Sequence, residues 1–158
     1  MEVMIALAIF TLIVAATSVF VRSRTKQQAL MAPANTLRAD VRELHQQAIR
    51  EMRPLAIRFS AFGYDLLRRY PVSEGLPESL EDEAEGTDES RIAGDDITVW
   101  VMGYDETKWR EADGEVWEFP GSGICEPLSV RFQRGNAYVA LTFDPLTANV
   151  TEQEAYIP

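Results

Sequence analysis

Residues 3 to 21, Val-Met-Ile-Ala-Leu-Ala-Ile-Phe-Thr-Leu-Ile-Val-Ala-Ala-Thr-Ser-Val-Phe-Val, carry no charge, and their only polar members are Thr11, Thr17 and Ser18. As a helix rising about 1.5 Å per residue, this run spans roughly 28 Å, enough to cross the hydrocarbon core of a bilayer. The stretch from Val3 through Phe10 to Val21 therefore reads as a membrane-spanning helix. A cleavable secretory signal would open on basic residues and end in a small-residue cleavage site. Here the chain opens Met1-Glu2, with no Lys or Arg before the apolar run. Glu2 is the informative residue, because a carboxylate at the mouth of an apolar helix stays at the interface or must meet a cation if it goes deeper.

Beyond the run the pattern changes. Leu30, Ala34, Leu37, Val41, Leu44 and Ala48 recur at alternating spacings of four and three, with Arg38, Asp40, Arg42, Glu43, Gln46 and Gln47 between them. This is one narrow apolar stripe on a polar helix, suited to packing against a sheet or neighbouring helices. Pro33 removes one backbone hydrogen bond and predicts a kink. One long helix is thus expected from about residue 3 to 52, apolar in the segment 1–21 and amphipathic in the segment 22–53. His45, lone and flanked by Gln46, reads as a surface histidine. Arg22, Arg24 and Lys26 come directly after the apolar run, and the positive-inside rule alone would put the C-terminal domain in the cytoplasm.

The segment 54–158 reads as a β-rich domain. Pro54–Phe59 and Tyr64–Tyr70 flank Ser-Ala-Phe-Gly and predict a hairpin. Residues 71–96 are rich in Pro, Gly, Ser and acids, and read as a solvated acidic loop. Strands are expected at Ile97–Met102, Val116–Phe119, Leu128–Gln133, Ala137–Phe143 and Asn149–Thr151, with Arg134-Gly135-Asn136 as a tight turn. A helix first and antiparallel strands after it give an α+β fold, the sheet covering the helix stripe.

Composition closes several routes. The 158 residues hold 25 Asp and Glu against 15 Lys and Arg, a net charge of −10 that disfavours nucleic acid as a partner. One Cys excludes an internal disulfide framework and any multi-cysteine zinc site. There is no Walker A loop, GxGxxG, GxSxG, HExxH or EF-hand spacing, so no enzyme activity, cofactor or metal is expected. Glu81, Asp82, Glu83, Glu85, Asp88, Glu89, Asp95 and Asp96 offer oxygens to calcium but lack the spacing that gathers six or more, and read as a repelling, solvated stretch. Trp117 reads as a core or interface residue, Trp100 by its periodicity as core, and Trp109, in a charged run, as an exposed contact. Cys125 reads as a buried or loop thiol without chemistry.

The N-terminal Glu2-Val3-Met4-Ile5-Ala6-Leu7-Ala8-Ile9-Phe10-Thr11-Leu12 resembles the N-terminus of type IV prepilins and type II secretion pseudopilins. Arg53-Pro54-Leu55, Gly63-Tyr64, Phe119-Pro120-Gly121-Ser122-Gly123 and Phe143-Asp144-Pro145-Leu146-Thr147 come after it in the order seen in the H-type minor pseudopilin and related minor pilins. In that turn the usual Gly after the Thr is replaced by Ala148-Asn149, where Asn149 is expected to take the left-handed conformation. The leader of the family, its Gly and the Phe-Thr-Leu triplet are absent, so Met1 reads as an internal methionine of a longer chain.

The resemblance implies a pilin-like fold and a structural subunit of the type II secretion pseudopilus, involved in protein export. It places the protein in the bacterial inner membrane, single-pass, with a periplasmic globular domain, and joins it to the pseudopilus on assembly. It names as partners other pseudopilins or pilins of the same fibre, inner-membrane lipid and, given a leader, the prepilin peptidase. Glu2 would make the filament contact by meeting the N-terminal ammonium of an adjacent subunit. A minor pilin of a type IV pilus, serving priming, adhesion or DNA uptake, and a non-polymerising membrane-anchored binding domain are the alternatives.

Overall fold

The computed structural model describes residues 28–68, 89–94 and 96–158. It is an α+β fold in which one helix, α1 at residues 28–51, lies against two antiparallel sheets. The stripe read from the sequence is the face that the helix buries. Leu30, Ala34, Leu37, Val41, Leu44 and Ala48 are each at most 1% exposed, and all belong to the single apolar core. Arg38, Arg42, Glu43 and Gln46 point to solvent between them. The helix is continuous through Pro33.

The first sheet has the order β3-β2-β1-β6, formed by β1 (Leu55–Ser60), β2 (Gly63–Leu67), β3 (Glu89–Ile92) and β6 (Val116–Phe119). The second has the order β5-β4-β7-β8-β9, formed by β4 (Thr98–Gly103), β5 (Arg110–Glu111), β7 (Leu128–Arg134), β8 (Ala137–Phe143) and β9 (Val150–Tyr156). Leu55, Ile57 and Phe59 of β1 face the core, as do Val99 and Val101 of β4, Val130 and Phe132 of β7, and Val139 and Leu141 of β8. These alternate positions are what period-two side chains produce on a sheet covered on one face. A backbone bond joins the sheets at a seam, where the Val99 N–H of β4 donates to the Ala61 carbonyl in the turn between β1 and β2. Trp117 fills the core beside Phe119 and Phe143, at 4.6 and 5.2 Å between ring centroids, and its indole N–H donates to the Glu126 carbonyl.

Several expectations change. The single-pass inner-membrane placement, with a periplasmic globular domain, is overturned by the helix that the structure describes. Among the described residues no helix is long and apolar enough to cross a membrane. In α1 the charged Arg38, Asp40, Arg42, Glu43, Arg50 and Glu51 break the apolar surface, and their desolvation in lipid would be unfavourable. Glu2 and the run Val3, Phe10 to Val21 lie outside the described residues, as do Arg22, Arg24 and Lys26. The acidic stretch 71–96 is not loop throughout, because Glu89–Ile92 forms β3 and pairs with β2 in the register Gly63↔Ile92 to Leu66↔Glu89. Residues 69–88 lie outside the described residues. β9 extends to Tyr156, well past the expected Thr151.

His45 is not on the surface. It is buried, and its Nε2–H donates to the Gly123 carbonyl at 2.9 Å. Nor does Asn149 take the left-handed turn; Ala148 does, with φ 52°. The only other non-glycine residue with positive φ among those described is Met52, φ 51°, at the end of α1. Arg53 N–H returns to the Ala48 carbonyl and Met52 N–H to the Ile49 carbonyl, a Schellman ending whose left-handed position usually holds Gly.

Met52 is 87% exposed, so its side chain contributes little packing to offset the conformational cost. Met52→Gly is therefore expected to raise stability by about 0.5–1 kcal/mol, after allowing for the extra chain entropy of glycine in the unfolded state. Urea unfolding followed by circular dichroism checks this; a lowered midpoint at unchanged slope would show that the Met52 side chain holds the helix end.

Candidate interaction surfaces

Three arrangements of side chains are candidates for function, and the first is the end of the domain where α1 stops. The Pro120–Cys125 loop packs onto that end so closely that a Cβ on Gly121 would lie 2.7 Å from the Met52 carbonyl carbon. A Cβ on Gly123 would press on Ile49 Cδ1 at 3.0 Å. Cys125 ties this loop to the next one, since its N–H and its Sγ both reach the Pro145 carbonyl, at 2.9 and 3.3 Å. Burial pushes the Cys125 thiol up to about 11, which removes the thiolate needed for reactivity at neutral pH.

The Asp144 carboxylate closes that second loop. Its Oδ1 accepts from the Leu146 N–H, the Thr147 N–H and the Thr147 hydroxyl, and these bonds hold its pKa below the usual aspartate value. The three segments bring Ile49, Met52, Ile124 and Leu146, all exposed, to one end of the molecule. Exposed apolar side chains gathered in this way suit a contact with another protein surface.

The second arrangement is a polar latch between α1 and the first sheet. Asp40, 8% exposed on the helix, accepts from the Tyr64 hydroxyl at 2.9 Å and from Arg91 Nε at 3.2 Å. Arg91 also holds Glu89 at 2.7 Å, and Arg68 reaches Gln47 and Glu43 of the helix. Burial, then the neighbouring Asp40 charge, pushes the Tyr64 phenol far above its usual range, so it stays a donor. Two shallow cavities of about 350 and 270 Å³ flank this latch, one lined by Phe62, Gly63, Ser90 and Ile92, the other by Pro33, Thr36, Tyr64 and Ala93. Phe62 and Ile92 stand exposed beside them.

The third is the outer face of the second sheet. Trp100 of β4, expected in the core, lies on that face in a cross-strand row with Arg131 of β7 and Ala140 of β8, because its strand neighbours Val99 and Val101 take the core side. The Arg131 guanidinium carbon lies 4.2 Å from the Trp109 ring centroid and 4.3 Å from that of Tyr138. Tyr138 stacks in turn on Tyr156 at 5.9 Å, and its hydroxyl donates to Glu154 at 2.5 Å. Trp109, expected as an exposed contact, is thus half-buried on a cation. Beside it Arg110 is gripped by Glu106 and Glu115; the Arg110 bonds hold the Glu115 carboxyl below the usual range, and the Gly103 N–H, then Arg110, does the same for Glu106.

The acids of the expected repelling stretch separate here. Glu89 belongs to the latch and Asp96 pairs with Arg134, whereas Glu81, Asp82, Glu83, Glu85, Asp88 and Asp95 lie outside the described residues. Among the described residues no group of three or more His, Cys, Asp or Glu is placed to hold a metal ion. Asp40, His45 and Arg131 take roles that the sequence pattern did not assign them. Helical spacing places the first two, since Asp40 follows Leu37 by three and His45 follows Val41 by four, at the margins of the buried stripe.

Asp144 supplies a pH test of the loop that presents Leu146. Its folded pKa lies below the ordinary value near 3.8, so its contribution to stability is fully present above that value and is lost as pH falls through the lower, folded one. Asp144→Asn is expected to lose less stability than the parent between about pH 5 and pH 2, read as urea midpoints at each pH. Parallel acid profiles for the two proteins would show that the carboxylate does not brace this turn.

Compared with family models, with curated proteins and with solved structures, the chain gives no match in any of the three.

Proposed function

We propose that this chain is a minor pseudopilin of the H type, a structural subunit of a type II secretion pseudopilus that takes part in protein export, with a pilin-like fold. The observation that carries the reading is the division of labour in the N-terminal part of the chain. The stripe Leu30 to Ala48 is consumed entirely by the two sheets. The uncharged run Val3–Val21 precedes it in sequence and opens on Glu2. With the amphipathic helix already covered by its own domain, an apolar run of that length is left to make contacts with other chains.

The order of elements supports the same reading. α1 ends just before Arg53-Pro54, β1 and the Gly63-Tyr64 strand β2 form a hairpin, and the last strands are linked through the Asp144-Pro145-Leu146-Thr147 turn. Ala148, with its positive φ, stands where relatives of this kind carry Gly. The exposed end formed by Ile49, Met52, Ile124 and Leu146 suits contact between neighbouring globular domains. In this reading the activity is assembly, the partners are other pseudopilins, and Glu2 neutralises the N-terminal ammonium of the adjacent subunit, since an unpaired carboxylate among packed apolar helices is unfavourable.

Glu2→Val tests this. In cells that make the fibre, the variant is expected to fold normally by circular dichroism of the purified protein yet be lost from sheared fibres, with export reduced. Recovery of the variant in the fibre fraction at the parent level sinks the assigned role of Glu2, and absence of the parent chain from that fraction sinks the subunit reading itself.

A further inference from the structure

The outer face of the second sheet holds a cation whose neighbours are rings rather than acids. Arg91, Arg110 and Arg134 each grip a carboxylate. Arg131 has none within ion-pair distance among the described residues. Its guanidinium lies against Trp109 on the β4–β5 side and against Tyr138 on the β8 side. Its Nε is buried with no hydrogen-bond partner, and so is the indole Nε1 of Trp100, its direct cross-strand neighbour. Two buried donors side by side without an acceptor are unfavourable, and they are the only buried side-chain nitrogens or oxygens without a partner among the described residues.

We propose that Arg131, with Trp100, Trp109 and Tyr138, forms a receptor for a single carboxylate presented by an extended peptide of a partner protein. Rings on both sides fix the guanidinium plane and exclude water from its faces, which leaves the planar fork oriented for bidentate recognition from its edge. Charge-assisted bonds of that kind are the strong ones, and the fork loses little freedom on binding because the rings have already fixed it. The guanidinium is a cation without a carboxylate of its own among the described residues, so the complementary group is an anionic acceptor met at its edge.

The surrounding acids narrow the choice further. Glu111 is paired across from Trp100, and Glu154 takes the Tyr138 hydroxyl. With these two carboxylates flanking one cation, a polyanion is repelled and an isolated acid on an uncharged backbone is admitted. The face is open at the β9 side, where Tyr156 is 52% exposed and offers a further ring to the peptide. The receptor does not depend on the fibre reading, because its geometry lies within one chain.

The test uses the folded chain labelled with ¹⁵N, and follows the indole N–H signals of its tryptophans and the Nε–H of Arg131 during titration. The probe is the end-blocked tripeptide acetyl-Gly-Glu-Gly-amide, with acetyl-Gly-Gln-Gly-amide and inorganic phosphate as comparisons. Saturable shifts of the Trp100 and Arg131 signals are expected with the Glu peptide, at an affinity near the millimolar range. The Gln peptide and the Arg131→Met protein are expected to bind at least about tenfold more weakly. Arg131→Lys, which keeps the charge and loses the fork, is expected to fall between parent and Met. Equal shifts with the Gln peptide overturn the proposal, as does retention of binding by Arg131→Met. Phosphate binding more tightly than the Glu peptide overturns it in favour of a site for small oxyanions.

Discussion

The burial of one helix face against both sheets is the constraint on which the other arrangements depend. Six positions from Leu30 to Ala48 are sealed, and the same core contains inner-face residues of β1, β2, β4, β6, β7 and β8. Neither sheet has another described layer on its inner side, so α1 is the common wall that holds the two together. Large-to-small changes in such a wall are expensive because the cavity left behind cannot collapse onto two sheets at once. The polar residues at the margins of the stripe are then forced inward and must find partners. Asp40 finds Tyr64 and Arg91, and His45 finds the Gly123 carbonyl. Removing any of these partners strands a buried polar group, which is costlier than losing the bond alone.

Close backbone approaches arise from the same constraint. A Cβ on Gly63 would collide with the Arg91 carbonyl, so β2 can lie beside β3 at that register only with glycine there. That register delivers Arg91 to Asp40. At the far end of α1, Gly121 performs the equivalent task by letting its loop rest on the Met52–Arg53 backbone. The helix is thus located at one flank by a half-buried ion pair and at its end by a glycine contact, and the apolar stripe between them needs no further instruction.

Much of this was legible in the residues. The stripe, the hairpin around Gly63, and the bounds of β6 and β8 come from spacing alone, because each buries alternate or helical positions of large apolar side chains. The hidden elements had no apolar signature. β3, Glu-Ser-Arg-Ile, is an edge strand held by pairing and by the ion pairs of Arg91. β5 is two residues long, and β9, expected only as far as Thr151, is exposed beyond it, so neither buries enough to leave a full pattern. His45 was misplaced by its polar neighbours, although its distance of four from Val41 and three from Ala48 puts it beside the stripe. The left-handed turn went to Ala148 rather than Asn149 because the Asp144 bonds to Leu146 and Thr147 fix where the chain must reverse. The Arg131 cluster was unreadable for a different reason: Trp109, Arg131 and Tyr138 come from three separate segments, and only the strand order joins them.

That strand order also explains why the outer face of the second sheet differs from an ordinary solvated one. Its exposed edge, β9, presents unpaired backbone, and from residue 135 onward the chain has no Lys or Arg. Glu152 and Glu154 on this edge resist pairing with a second copy of the same strand, since an antiparallel partner would bring four like charges together. Repulsion at the edge does not extend to the centre of the face, where β7 sets Arg131 among aromatic rings two strands inward. The edge is therefore guarded against sheet extension while the centre retains an unmatched cation and two unmatched donors. The first keeps the edge from extending; the second lowers stability even though Arg131 holds Trp109 and Tyr138 together, and the unmatched donors are best accounted for by a group met outside the chain.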